Sequence, residues 1–138
     1  MANTISANLR CGGLAAVLMA AGALAAGGAS AQAVTYSNGQ ALKGAAEFGN
    51  NCARCHGPQA QGGEGPPLTG TTFAGDWRGK GVADLFEFIS HNMPYDDPGG
   101  LPLDTYLAIL THLMKLNGIP GGGAALPNPP PAGMIIPK

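Results

Sequence analysis

The chain has 138 residues, seven cations against eight carboxylates, and only 11% charged residues. That length holds one ordinary domain. The cations form no run or stripe that phosphates could follow, which excludes nucleic acid and anionic membrane surfaces as partners.

Residues 1–33 read as a secretory signal peptide: a polar opening with one cation, Arg10, an apolar run from Leu14 to Ala26, and small residues ending Ala29-Ser30-Ala31-Gln32-Ala33. The apolar run is about 13 residues, short of the roughly 20 that cross a bilayer, so no membrane anchor is expected to remain. Two Ala-x-Ala sites overlap, placing cleavage after Ala31 or Ala33. Cys11 precedes the apolar run, whereas a lipidated cysteine would follow it, and so leaves with the signal. The mature chain keeps six cations, Lys43, Arg54, Arg78, Lys80, Lys115 and Lys138, against all eight carboxylates, a formal balance of −2.

A first helix is expected near Ala41 to Asn50. It leads into Asn51-Cys52-Ala53-Arg54-Cys55-His56-Gly57, a C-x-x-C-H run that is a haem c attachment signature. The spacing has a chemical reason: two thiols three positions apart can each add to one haem vinyl group, and the next residue then sits beneath the iron. Other readings fit less well. A disulfide between Cys52 and Cys55 closes too short a loop to stabilise much and leaves His56 unexplained. A thioredoxin-like pair needs a βαβ unit that the surrounding pattern lacks. A zinc site from Cys52, Cys55, His91 and His112 has histidines 21 positions apart rather than in a compact pair.

From Gly57 to Pro67 glycine and proline dominate and no apolar period can be followed, so a loop is expected. Val82, Leu85, Phe88 and Ile89 recur at helical spacing, predicting a helix near Val82 to His91 that stops at Met93-Pro94. Met93 is the candidate second axial ligand, because a thioether opposite a histidine favours ferrous iron and raises the reduction potential. His91, Met114 and an open site are its rivals. Met114 lies on the apolar face of a last helix, near Leu103 to Leu116, and His112 on the polar side. Asn117-Gly118 before Pro120 ends that helix, while Pro102 at its start offers no side-chain cap. Gly121 to Lys138, rich in Pro and Gly, builds no regular structure and is expected to lie as an extended tail against a cytochrome domain spanning 34–120.

Taken together, residues Gly39 to Gly118 resemble the class I cytochrome c family, and most of all the small cytochromes and cytochrome subunits that serve bacterial quinoprotein alcohol dehydrogenases. The landmarks are Cys52-x-x-Cys55-His56, Met93-Pro94, Pro98-Gly99, Leu101, Tyr106 and Asn117-Gly118. The resemblance implies an all-α fold with about three main helices and long loops around one covalent haem c. It implies that Gly44 and Phe48 mark where the first helix crosses the last, near Tyr106 and Leu107. It further implies that the Pro67 carbonyl accepts the ring N–H of His56, that Trp77 reaches a haem propionate, and that Arg78 could pair with one as well. The expected function is one-electron transfer in the periplasm without transformation of a substrate. Redox proteins are the expected partners, a quinoprotein dehydrogenase as donor and a terminal oxidase or another cytochrome as acceptor. The alternative is a five-coordinate haem that binds or reduces peroxide, nitric oxide or carbon monoxide. A chain with 23 glycines and 12 prolines makes little helix and a thin core, so the polypeptide without haem is expected to be largely unfolded.

Overall fold

The structure, a computed structural model, describes residues 32–138. The signal-peptide reading falls mostly outside them. Five helices follow one another: α1 (Asn38–Asn51), α2 (Ala53–His56), α3 (Gly70–Trp77), α4 (Val82–Asn92) and α5 (Leu103–Leu116). Among the described residues there is no strand ladder, and no helix is long and apolar enough to cross a membrane.

The three main helices stand where the apolar period put them, and their ends have local causes. Ser37 caps α1 by accepting the Gln40 N–H, while the Gln40 side chain accepts the Ser37 N–H. At the start of α4 the Asp84 carboxylate accepts the Gly81 N–H. Pro102 supplies no side-chain cap to α5, but its backbone carbonyl accepts from Thr105 and Tyr106, which starts the helix at Leu103. The other end of α5 is a Schellman turn: Ile119 N–H reaches the Met114 carbonyl, Gly118 N–H reaches that of Lys115, and Gly118 takes φ +72°. Helix α3 has no counterpart in the sequence reading, since two glycines in eight residues hide its period.

Helices α1 and α5 pack closely at Gly44. A Cβ built there would lie 1.9 Å from the Ala108 carbonyl oxygen, so the helix backbones touch with no room for a side chain. The crossing is thus at Ala108, one residue beyond the position implied by the resemblance. Gly44→Ala is expected to destabilise the holoprotein by about 1–3 kcal/mol through overpacking. A thermal midpoint equal to the wild type's would show that the helices can separate freely.

The tail forms no helix, yet Leu126, Met134 and Ile136 are buried in the same core as Tyr36, Phe73, Val82 and Leu110. Ile136 exchanges backbone hydrogen bonds with the α3–α4 connection, accepting from Gly79 N–H and donating to Lys80 O, and Met134 O accepts from Val82 N–H. Arg78 donates to the carbonyls of Pro137 and Asn117. Its guanidinium therefore holds the tail against the end of α5. Gln40 pairs with both backbone groups of Leu126.

Candidate haem site

Helix α2 is a single turn that carries the cysteine pair and the histidine. Cys55 and His56 N–H both donate to the Cys52 carbonyl, which winds the three residues onto one turn and points them the same way. Gly57 ends the turn at φ +78°, and the following loop folds back: Gly62 N–H reaches His56 O, and Gly65 N–H reaches Cys55 O. The return matters for His56, whose Nδ1 lies 2.8 Å from the Pro66 carbonyl oxygen. The carbonyl implied by the resemblance was that of Pro67, and the structure corrects it to its neighbour. Gly65 slides beneath the imidazole, which brings the next carbonyl but one from Glu64 level with the ring, while Pro67 contributes to the cavity wall instead.

With Nδ1 engaged as the donor, Nε2 keeps its lone pair, the arrangement that a ligating histidine uses to fix its tautomer and direction. A Cβ on Gly65 would lie 2.9 Å from both Cε1 and Nδ1 of His56. Gly65→Ala is therefore expected to tilt the ring and cost the holoprotein about 1–3 kcal/mol. The check is thermal unfolding of the holoprotein together with its absorption spectrum, and an unchanged pair would remove the role given to Gly65.

Cys52, Cys55, His56, Pro67, Trp77 and Met93 all line one cavity of about 640 Å³. Its walls are otherwise mainly apolar, including Phe73, Leu85 and Ile89 on one side and Ile109 and Leu113 on another. Cys52 and Cys55 are free thiols. Burial, with a smaller contribution from Cys55 beside it, pushes the Cys52 thiol up to about 11, so it stays neutral at physiological pH.

Met93 follows the last turn of α4 in extended backbone, released from the helix by Pro94. Its carbonyl accepts the Tyr106 hydroxyl at 2.5 Å, and that hydroxyl also accepts the Leu101 N–H at 3.3 Å. One buried phenol from α5 thus holds both ends of the loop 93–101, a function that the helical period of Tyr106 did not reveal. The rivals of Met93 lie elsewhere. His91 is exposed and turned back to the Glu87 carbonyl, His112 is stacked at 5.5 Å on Phe48, Met114 is sealed in the core, and none of the three lines the cavity. The zinc reading needs His91 and His112 beside Cys52 and Cys55, and neither histidine lines the cavity that the two cysteines share.

Trp77 is half-buried at the cavity, its ring 5.4 Å from that of Phe88, with the Lys80 ammonium 5.3 Å from the indole centroid. On the cysteine side, Arg54 reaches across to Asp96 at 2.7 Å. The guanidinium's hydrogen bond holds the Asp96 carboxyl below the usual carboxylate range.

The family described as cytochrome c oxidase, cbb3-type, subunit III matches residues 39–113. The chain belongs to this family of c-type cytochromes. The match runs from α1 nearly to the end of α5 and contains Cys52, Cys55, His56, Pro67, Trp77 and Met93. Among solved structures, a chain of the sulfane dehydrogenase SoxCD from Paracoccus pantotrophus is similar, with a TM-score of 0.52 and 27% identity over 59% of this chain. This cytochrome spans 45% of the length of that chain. No curated protein matches it.

The cofactor of the family, covalent haem c, fits what the cavity offers. The void is apolar and of a size for a large flat group. It has two thiols on one turn and an imidazole whose outer nitrogen is already engaged, and Gly65 leaves room where any side chain would push that imidazole away. The protein is a c-type cytochrome with an all-α fold, a domain whose haem chemistry is electron transfer.

Proposed function

We propose that this cytochrome is an exported, single-haem carrier of the periplasm that takes one electron from a quinoprotein dehydrogenase and passes it to a terminal oxidase or another cytochrome. The observation that carries the reading is the convergence of His56, from α2, and Met93, from beyond α4, on one apolar cavity that excludes His91, His112 and Met114. Bound haem iron supplies the exchangeable electron. The chain does the rest. Cys52 and Cys55 would hold the macrocycle by two thioethers, and His56 and Met93 would supply the protein donors to its iron. The Pro66 carbonyl keeps His56 in one tautomer, and Tyr106 keeps the Met93 backbone in place. The apolar walls limit solvent rearrangement when charge changes, and a soft thioether donor raises the potential. Trp77, in the cavity wall, would donate its indole N–H to a propionate.

A dehydrogenase as donor draws support from the likeness to a chain of a sulfane dehydrogenase, and an oxidase as acceptor from the family's description. Residues 1–33 act as the signal that takes the chain to the periplasm.

The test is a set of measurements on the mature protein from the periplasm. Its mass should equal one haem plus a chain that begins at Gln32 or Val34. A spectroelectrochemical titration should show one reversible electron per chain, with the ferrous form resisting carbon monoxide. Ready binding of carbon monoxide, or turnover of peroxide, would instead select the five-coordinate alternative. Co-purification from the native periplasm identifies the donor.

A further inference from the structure

The loop that presents Met93 is held firmly at its two ends and by little in the middle. Tyr106 fixes Met93 and Leu101, while Asp97, Gly99 and Gly100 N–H all bond within the loop, to Pro94, Met93 and Asp97 respectively. Tyr95 to Gly100 are exposed. Among the described residues, one side-chain hydrogen bond joins residues 94–100 to the rest of the chain, and it is Asp96 to Arg54. Arg54 sits between the two cysteines, 42 positions earlier, on the opposite flank of the cavity.

We propose that Arg54 and Asp96 form an electrostatic latch, which ties the loop of the sixth ligand to the cysteine turn and sets how readily Met93 leaves the iron. The proposal rests on Met93 as an axial ligand. Arg54 and Asp96 are positioning residues: neither would supply a donor to the iron, and they act through the path of the loop. Outward movement of the loop backbone makes it easier for the methionine to leave the iron, and the pair opposes that movement by tying the loop to the cysteine turn. Both side chains are largely in water, 76% and 61% exposed, so the tie is modest in strength and open to salt. The Debye length falls from about 30 Å at 0.01 M to about 3 Å at 1 M ionic strength, which screens an exposed pair. Exchange of the methionine is thereby linked to ionic strength, and to any partner whose own charges compete for Arg54 or Asp96.

The experiment measures carbon monoxide association with the ferrous holoprotein. At about 0.01 M salt, Arg54→Gln and Asp96→Asn should each bind roughly 1.5-fold to fivefold faster than wild type, the range expected for an exposed charged pair. Wild type should approach the variants' rate at about 1 M salt while the variants change little. The exchanged pair, Arg54→Asp with Asp96→Arg, should return to the wild-type rate and its salt dependence. Because both positions are exposed, thermal midpoints should stay close to wild type, which separates the latch from general loosening. Wild-type rates in both single variants, or an exchanged pair no slower than they are, would overturn the latch. Met93→Ala separates this failure from that of the ligand reading. If it binds freely while Arg54→Gln matches wild type, only the latch is wrong; if it binds no faster than wild type, the ligand assignment falls and the latch with it.

Discussion

The haem-free chain, Cys52→Ala/Cys55→Ala expressed and exported without its cofactor, is expected to show no cooperative thermal transition. The cavity walls are drawn from all five helices, α1 contributing Phe48, so the group that fills it is their common contact. Without that group the cleft of about 640 Å³ leaves its mainly apolar walls open to water, a loss of burial that a domain stable by only about 5–15 kcal/mol can ill sustain. Direct contact between helices does not compensate, because α1 and α5 alone pack extensively and α2 and α3 are only one and two turns long. Far-UV circular dichroism against temperature is the measurement. A sigmoidal transition like that of the holoprotein would show that the polypeptide carries its own core.

Met93→Ala is expected to open the iron. A ligand that leaves the metal free about 1% of the time reduces the affinity of a competitor about 100-fold, so its removal should raise carbon monoxide affinity by that order. The reduction potential should fall at the same time, since the thioether's preference for ferrous iron is lost. Tyr106 and Gly99 bind the backbone at position 93 and not its side chain, so the loop should keep its path in the variant. Equal carbon monoxide binding by variant and wild type would show that the thioether is not on the iron.

The parts of the site that could be read from the sequence are those whose members are neighbours in the chain. Cys52, Cys55 and His56 share one helical turn, and Met93 is set beyond α4 by the proline that follows it. The main helices were equally legible, since Val82, Leu85 and Ile89, or Tyr106, Leu110 and Leu113, repeat at the helical interval and are buried. Pro66 was missed in favour of Pro67 because two adjacent prolines offer the same carbonyl, and only the fold of Gly62 to Gly65 decides which one faces His56. The part Arg78 plays in holding the tail was not legible, because a lone cation carries no sign of its partner. The carbonyls that it binds belong to Asn117 and Pro137, 39 and 59 positions away. Leu126, Met134 and Ile136 gave no signal of burial, since among prolines and glycines they have no period.

The sequence by itself determined the chemistry on offer: a thiol pair with its adjacent imidazole, a thioether downstream, and three helices with apolar faces. Each of these is written in short-range spacing, which backbone geometry converts directly into shared direction. The tertiary structure alone decided which carbonyl orients His56, that Tyr106 holds the Met93 loop, that Arg54 meets Asp96, and that the tail completes the core. Those are contacts between segments distant in the chain, chosen by loop paths whose glycines and prolines permit several courses until packing selects one.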